Sequence, residues 1–480
     1  MTHRGPSVPS TSTSTSTSAP AFASAPASGP DPFEADVAVI GAGWAGLAAA
    51  MHLVDAGRRV TLLDAAREAG GRARAVTLDF GSGPVRIDAG QHLLVGAYGE
   101  SLALAQRLHD GHAPIERWPM ALRDTGSLRF EAAPLPAPWH LALGLLRARG
   151  LGIGERLAIA RLMQAVRRPS ADAGETVAAM LMRLRQPPAL VERLWAPLCM
   201  AALNTDIDEA CALTFSNVLR ETLGGARGDS DFVLPRGTLA ELISEPASRW
   251  LAQRDAALLT GAAVGRLQHA DGRWQVDSAR GTVRARQLIV AIPPVGAARL
   301  LQPLSERAQA LAGFDYDAIA TVYVAWPRDA VTSLPRWIML REQPARMQFG
   351  QWLFDRGELA GLRVAAIVVS ARGRRAAPTA EALADGIQDQ LAEQLRLPPA
   401  AAHRVVTEKR ATFRCTPGRP RIGTDWFAGE LPGLWLAGDH AYPAYPATLE
   451  GAVRSGRIAA EAALASGAPG AASPATAPRS

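Results

Sequence analysis

Cysteine, lysine and long apolar runs are all scarce in this 480-residue chain. Its three cysteines, Cys199, Cys211 and Cys415, have neither CxxC nor metal-ligand spacing. They exclude a disulfide framework and a zinc site and fit a reducing cytoplasm. No apolar stretch reaches the roughly 20 residues that a membrane-spanning helix needs. Lys409 is the only lysine, so arginine supplies nearly all of the positive charge.

The net charge of +6 is spread along the chain. No compact basic cluster with interleaved aromatic residues occurs, which argues against a nucleic-acid partner. The simplest explanation is an arginine-rich genome, but a diffuse positive surface also suits contact with anionic lipid. We therefore expect a cytoplasmic protein that can rest peripherally on the inner face of the membrane.

The length predicts two or three lobes, and a hydrophobic content of 48% is ample for their cores. The ends of the chain, 1–34 and 466–480, are rich in Ser, Thr, Ala and Pro. Neither end has the composition of a packed segment, and the first lacks the apolar stretch of a signal peptide. We expect both ends to be disordered tails. The pattern from Ser101 to about Leu223 is mostly helical.

A glycine-rich turn in "VIGAGWAGL" joins a buried strand to a helix. Gly41 permits the tight turn, Gly43 lets a pyrophosphate approach the backbone, and Gly46 lets the helix pack on the sheet. The helix N-terminus would stabilise the phosphate charge. Asp64 ends the next strand, where a carboxylate can accept ribose hydroxyls. This βαβ unit predicts a dinucleotide site.

The "GGRAR" segment follows the ribose acid and can bring the Arg72 guanidinium to a pyrophosphate or a flavin edge. Together the two motifs resemble the FAD family of amine oxidases, carotenoid desaturases and protoporphyrinogen oxidases. The resemblance implies an α/β fold, with a discontinuous Rossmann-like FAD-binding domain and an inserted α+β substrate domain of the amine oxidase type. The FAD-binding domain would comprise 35–100, 235–300 and 410–465, and the substrate domain 101–234 and 301–409.

Two later segments extend this resemblance. In "VRIDAGQHLLVGAY", Asp88, Gly90 and His92 would lie near the isoalloxazine, where His92 either donates a proton or bonds a backbone carbonyl. In "AGDHAYPAYPATLEGAVRSG", Asp439 would bond the ribityl hydroxyls, and the following helix, with Glu450 in its first turn, would point its N-terminus at the flavin. The implied non-covalent FAD contacts are Gly41, Gly43, Trp44, Ala45, Gly46, Asp64, Gly71, Arg72, Gly90, Val264, Gly438, Asp439, Thr448 and Leu449.

Three segments narrow the family: "LWAPLCMAALNTDIDEACALTFSNVL", "FVLPRGTLAELISEPASRWL" and "YPATLEGAVRSG". They resemble the squalene-associated FAD-dependent desaturases, now understood as hydroxysqualene dehydroxylases. The resemblance implies that reduced flavin N5 delivers hydride to an allylic carbon of hydroxysqualene, giving squalene for hopanoid biosynthesis beside squalene-synthase-like enzymes. Candidate acids for the leaving hydroxide are His92, His440 and Tyr445, and no metal is implied. The chain departs from many relatives at His440, where they have tryptophan, and at Asp64, where they have glutamate.

Other functions stay open from the sequence. An amine oxidase of this family often uses a lysine-held water, for which Lys409 is the only candidate; a covalent flavin link through Cys415 is a further possibility. A carotenoid desaturase and a non-catalytic isoprenoid escort protein are the remaining alternatives. The helical stretch 140–168 alternates apolar stripes with arginine. It can line a substrate tunnel, rest on a membrane or simply face the core.

Overall fold

The N-terminal βαβ unit consists of β1 (Phe33–Ile40), α1 (Trp44–Asp55) and β2 (Val60–Leu63). It forms as the sequence predicts, because the β-branched residues of both strands are buried between layers. β1 and β2 pair in parallel. The structure is a computed structural model that describes residues 33–167, 172–254, 256–370 and 379–466.

The other elements follow in chain order. The strands are β3 (Ala75–Asp79), β4 (Pro84–Asp88), β5 (Leu94–Val95), β6 (Ile115–Trp118), β7 (Ala121–Arg123), β8 (Arg129–Glu131), β9 (Phe232–Pro235), β10 (Ala257–Leu259), β11 (Val264–Ala270), β12 (Arg273–Ser278), β13 (Gly281–Val290), β14 (Tyr316–Pro327), β15 (Trp337–Met339), β16 (Trp352–Leu359), β17 (Leu362–Val369), β18 (Ala402–Phe413) and β19 (Leu434–Leu436). The helices are α2 (Gly99–Leu108), α3 (Trp139–Arg147), α4 (Ile153–Val166), α5 (Val177–Arg183), α6 (Pro188–Leu190), α7 (Ala196–Leu203), α8 (Ala212–Leu223), α9 (Glu245–Ala252), α10 (Pro294–Leu301), α11 (Gln309–Ala312), α12 (Ala380–Leu395) and α13 (Leu449–Ser466).

The larger sheet has seven strands among the described residues, in the order β10-β2-β1-β13-β12-β11. β10, β2, β1 and β13 run parallel, and β19 pairs in parallel with the last residues of β13, beyond the part that pairs with β12. β11 and β12 turn back in antiparallel pairing. The carboxyl ends of the parallel strands therefore meet at one edge, which is where open α/β sheets bind nucleotides.

A second sheet has five antiparallel strands in the order β15-β16-β17-β14-β18. Leu383, Ile387 and Leu391 of α12 are fully or almost fully buried and pack in one hydrophobic cluster with β14, β16 and β17. The other face of β14 contributes Tyr323, whose hydroxyl donates to the Asp88 carbonyl at 2.7 Å. The second sheet is thus hydrogen-bonded to the end of β4.

Apart from the first two residues of β1, the strands of the larger sheet fall within the three stretches expected for the FAD-binding domain. β1 begins at Phe33, two residues earlier than expected, because Phe33 and Glu34 pair with β13 although both are exposed. The expected boundary between 409 and 410 falls inside β18, and α13 continues to Ser466. The rest of the expected tails lies outside the described residues. The described residues belong to one compact unit, and the two-domain division stays a prediction.

The mostly helical stretch from Ser101 to Leu223 also contains β6, β7 and β8, which the sequence pattern did not reveal. β6 pairs with β9, and β7 pairs with β8. Strands of three or four residues are too short to show a period of two, so only their tertiary partners define them. None of the described helices combines the length and apolar character that crossing a bilayer requires.

Candidate active site

The first glycine turn lies at the carboxyl end of β1. Gly41 has φ +105°, and a Cβ there would lie 2.5 Å from the Ala291 carbonyl oxygen. A Cβ on Gly46 would overlap the Gly41 carbonyl, whereas a Cβ on Gly43 would meet nothing within 4 Å. Two glycines therefore permit close packing, and the third leaves open space beside the N-terminus of α1. No acidic residue occupies the first turn of α1, so its free N–H groups suit an anion.

Asp64 follows β2 and is tied to the glycine turn. Its Oδ2 accepts a hydrogen bond from Ala42 N at 2.6 Å, and its Oδ1 accepts one from Ala66 N at 2.7 Å. Each carboxylate oxygen keeps a lone pair that a ribose hydroxyl can use. Val264 begins β11, shortly after Ala262, whose N–H donates to the Asp64 carbonyl at 2.7 Å. Val264 therefore lies two residues after a residue that is hydrogen-bonded to Asp64.

The GGR loop joins the first and last motifs. Gly70 N donates to Ala42 O at 2.8 Å, and a Cβ on Gly71 would lie 3.3 Å from the Gly43 Cα. Arg72 reaches across the site, where Nη2 donates to Asp439 Oδ2 at 2.7 Å and Nη1 donates to Ala411 O at 2.8 Å. A contact between residues 367 positions apart brings the two predicted FAD segments together.

Asp439 is a buried carboxylate held in its charged form. Burial by itself raises its pKa, but the charge of the adjacent Arg72 and the hydrogen bonds from His440 and Arg72 together outweigh burial, so the pKa lies well below the ordinary value. Its Oδ1 accepts a hydrogen bond from His440 N at 3.0 Å. Gly438, at φ +132°, donates its N–H to Ser455 Oγ of α13 at 2.8 Å. The Gly-Asp pair is thereby fixed to both Arg72 and α13.

The N-terminus of α13 lies beside this pair. Thr448 caps the helix, because its Oγ1 accepts a hydrogen bond from Gly451 N at 3.1 Å. Leu449 is the first helical residue. Further along, a Cβ on Gly456 would overlap the Ala45 carbonyl of α1. Gly456 permits the close approach of the two helices, and it went unrecognised because only the fold reveals what faces it.

Glu450 faces α2. Its carboxylate accepts hydrogen bonds from Glu100 N at 3.1 Å and Ser101 N at 2.9 Å. It also pairs with Arg454 Nε at 2.8 Å. These bonds satisfy free N–H groups at the start of α2 and compensate a fully buried charge. These contacts give Glu450 a structural role as the cap of α2.

The segment after β4 carries His92 next to Gly90. His92 Nδ1 lies 2.7 Å from the Gly90 carbonyl oxygen, which can only accept, so Nδ1 bears the proton. Burial lowers the pKa of His92, and the nearby Asp88 carboxylate offsets only part of this effect. The imidazole is therefore neutral at pH 7, with Nε2 as an acceptor. A Cβ on Gly90 would make only ordinary contacts, with His92 Cε1 at 3.8 Å and Thr321 Oγ1 at 4.0 Å.

Asp88 contacts two other segments near the site through its carboxylate. Its Oδ1 accepts from Leu239 N at 2.7 Å, and its Oδ2 lies 3.8 Å from Arg356 Nη2 on β16. Both side chains are at least 90% buried. Arg356 also donates to the Gly237 carbonyl at 3.2 Å. This ion pair joins the β3–β4 hairpin to the five-stranded sheet and was not detectable from the sequence, because its members are 268 positions apart and share no motif.

The other two candidate acids have different surroundings. Tyr445 donates its hydroxyl to Glu221 of α8, which also accepts from Arg454 Nη1 at 3.1 Å. His440 is 1% exposed, and neither ring nitrogen has a hydrogen-bond partner among the described residues. Its nearest charged oxygen is Asp439 Oδ1, 3.8 Å from Nδ1, and its ring meets Phe314 edge-on at 6.0 Å.

The alternative functions would use Lys409 and Cys415, which have the surroundings of ordinary surface and core residues. Lys409 is exposed on β18. Cys415 is fully buried, and burial raises the pKa of its thiol to about 12, which keeps it protonated and unreactive. Among the described residues, no group of three or more His, Cys, Asp or Glu side chains is placed to hold a metal ion.

Comparison with known proteins agrees with this geometry. The model of the flavin containing amine oxidoreductase family matches residues 44–464. The chain belongs to this family. It is 31% identical to a hydroxysqualene dehydroxylase of Rhodopseudomonas palustris over 90% of this chain and 99% of that one. It is 29% identical to the Sinorhizobium fredii protein of the same name over 89% and 98% of the two chains. The expected resemblance to hydroxysqualene dehydroxylases is confirmed.

The fold is shared with solved flavoenzymes. Cyclohexylamine oxidase from Brevibacterium oxydans superposes with a TM-score of 0.66 at 20% identity, covering 90% of this chain and 99% of that one. The α/β fold with a Rossmann-like FAD-binding sheet is thus confirmed. The protein is an FAD-dependent oxidoreductase.

The residues present fit FAD. Open space at Gly43 adjoins an acid-free helix N-terminus, which suits a pyrophosphate. The buried Trp44 Nε1 lacks a protein partner among the described residues, as expected if a bound group or water satisfies it. We propose that Gly41–Gly46, Asp64, Gly71, Arg72 and Val264 hold the adenosine diphosphate half. Gly90, Gly438, Asp439, Thr448 and Leu449 would hold the flavin half.

Proposed function

We propose that this protein reductively dehydroxylates hydroxysqualene to squalene. The observation that carries the proposal is the full-length similarity to proteins named hydroxysqualene dehydroxylase, which spans 89–90% of this chain and 98–99% of theirs. The FAD-binding geometry supports the redox half of the reaction. The substrate partner is accordingly a long apolar isoprenoid alcohol.

The reaction balances simply. The allylic C–O bond breaks, the hydroxide leaves as water after gaining one proton, and a C–H bond forms at the same carbon. When bound, reduced FAD would supply the hydride for this C–H bond, and an external two-electron donor would have to reduce the flavin again. The tasks of the protein are to hold the alcohol dry and aligned and to deliver the proton.

His92 is the proton donor that the geometry supports best. The Gly90 carbonyl fixes the Nδ1 proton, so the donor is Nε2 of the protonated ring, and the neutral ring with Nε2 as an acceptor must first take up a proton. The Tyr445 hydroxyl already donates its hydrogen bond to Glu221, and the His440 side chain is almost fully buried. We assign these two a positioning role. Tyr445 holds α8 against the C-terminal segment, and His440 packs beside Asp439.

The decisive test uses purified protein with FAD, hydroxysqualene and a reductant in the absence of oxygen. Squalene should appear, measured by gas chromatography with mass detection. His92→Ala should lower kcat by about 10²–10⁴-fold, the usual contribution of a positioned general acid. The matched control is His112→Ala, because His112 is exposed and lies outside the site.

Three outcomes would contradict the proposal. Hydrogen peroxide formation with amines would indicate an amine oxidase, and conversion of phytoene to coloured polyenes would indicate a carotenoid desaturase. A purified protein that binds isoprenoid but no flavin would indicate an escort protein. Full turnover by His92→Ala would remove His92 as the acid without affecting the substrate assignment.

A further inference from the structure

Exposed apolar side chains concentrate on one helical segment. The described residues expose nine large hydrophobic side chains, and six of them lie between Leu135 and Met182. This group includes the five most exposed: Met182 at 76%, Ile153 at 75%, Leu146 at 69%, Trp139 at 65% and Leu157 at 62%. Single exposed hydrophobic residues are ordinary, but such a concentration marks an interaction surface.

The exposed residues lie on the outer sides of helices that already have a buried side. On α3, Trp139 and Leu146 are two turns apart, while His140 and Gly144 are buried. On α4, Ile153 and Leu157 are one turn apart on the outer side. An ordinary surface helix has polar residues on its outer side. Here the outer sides of α3 and α4 carry large apolar residues instead.

Hydrogen bonds link α4 to the end of α3 and to the residues just after α5. Arg156 of α4 donates to the Ala148 carbonyl at the end of α3 at 2.7 Å. Gln186, just after α5, donates to the Ala158 carbonyl of α4 at 2.9 Å. We call the exposed residues Leu135, Trp139, Leu146, Ile153, Leu157 and Met182 the α3–α5 face.

The charges along α3 and α4 are mostly positive. From 132 to 167 the sequence contains five arginines and one acid, Glu155. Glu155 is already used, because it accepts from Arg193 Nη2 at 2.7 Å and caps α4 through Gly152 N. Four of the arginines are exposed: Arg147, Arg149, Arg161 and Arg167. A second copy of this chain would place like charges near one another across a two-fold axis.

We propose that the α3–α5 face docks on an anionic phospholipid bilayer. The apolar residues enter the boundary between headgroups and acyl chains, and the arginines contact the phosphates. A tryptophan among the docking residues suits this depth, because its ring is amphipathic. The inference rests on exposure and charge, and it does not depend on which isoprenoid the enzyme converts.

The test is co-sedimentation of the FAD-loaded protein with vesicles of phosphatidylcholine, with or without phosphatidylglycerol. We expect binding to the anionic vesicles that weakens as salt rises. The double variant Ile153→Ser/Leu157→Ser should weaken binding at least about tenfold, since each side chain loses apolar burial. Arg147→Gln/Arg149→Gln should weaken binding about fivefold per charge on anionic vesicles only.

The matched control is Phe33→Ser, which removes a 43% exposed apolar side chain from β1. It should bind vesicles like the unchanged protein, and all variants should retain their flavin absorbance as a check of folding. Absence of vesicle binding by the unchanged protein overturns the proposal. So does a dimer that Ile153→Ser/Leu157→Ser dissociates without any effect on vesicles. Loss of turnover by that variant with detergent-solubilised substrate would instead make the face part of a substrate tunnel.

Discussion

The close approach of α13 to α1 gives a sharp prediction for Gly456→Ala. A Cβ at this position would overlap the Ala45 carbonyl oxygen. Ordinary carbon contacts need about 3.5 Å, so α13 must recede by about 1 Å. Overpacking of this kind costs about 1–3 kcal/mol, and the better helix propensity of alanine returns about 1 kcal/mol. The variant should therefore be destabilised by up to about 2 kcal/mol.

The matched control is Gly154→Ala in α4, where a Cβ would meet nothing within 4 Å. Alanine gains the same helix propensity there without a clash, so this variant should be stabilised by about 0.5–1 kcal/mol. The difference between the two variants measures the packing effect free of propensity.

The assay is thermal unfolding of the FAD-loaded protein followed by circular dichroism and by flavin fluorescence. With an entropy of unfolding of about 2.1 cal/mol/K per residue, a chain of this length shifts its Tm by about 1 °C per kcal/mol. We expect a lower Tm and earlier flavin release for Gly456→Ala, and a slightly higher Tm for Gly154→Ala. Equal upward shifts in both variants would refute the packing argument.

Two further predictions concern charge and protonation. Asp439→Asn should weaken FAD binding and lower the free energy of unfolding by about 1.5–2 kcal/mol, which is the lower part of the range for charged hydrogen bonds. The lower part applies because the Arg72 side chain keeps 32% exposure. Flavin retention on a desalting column measures the loss of FAD binding. Since the pKa of Asp439 is depressed, this contribution should persist from neutral pH to below pH 3.8 and then disappear. If His92 is the acid, kcat/KM should fall as pH rises through a pKa below 6.5, because only the protonated ring donates a proton. His92→Ala should remove this decrease from the pH profile. An increase of kcat/KM with pH in the unchanged protein would refute the role.

The parts of the site that the sequence predicts are those built from adjacent residues. Each glycine of the turn has a distinct predicted role. The structure shows close packing at Gly41 and Gly46 but open space at Gly43. The strand, turn and helix of this unit follow one another in the chain, so the local pattern suffices. The final segment was recognisable for the same reason, with Thr448 capping α13.

The parts that the sequence missed depend on residues far apart in the chain. Glu450 has the pattern of an ordinary first-turn acid, and only the position of α2 shows that it caps a second helix. The Asp88–Arg356 pair and the Tyr445–Glu221 hydrogen bond likewise join different elements. No period or spacing announces such contacts, because their partners meet only after the sheets have packed.

The distance along the chain between the two FAD segments has an energetic consequence. Joining segments separated by 367 positions carries a loop-closure entropy, although this grows only as the logarithm of the separation. The Arg72–Asp439 hydrogen bond offsets part of it, and so does the packing of Gly456 on Ala45. FAD contacts both segments in our assignment and binds only when they are assembled. Its binding free energy therefore adds to the stability of that assembly, and the C-terminal helix should loosen first when the cofactor leaves.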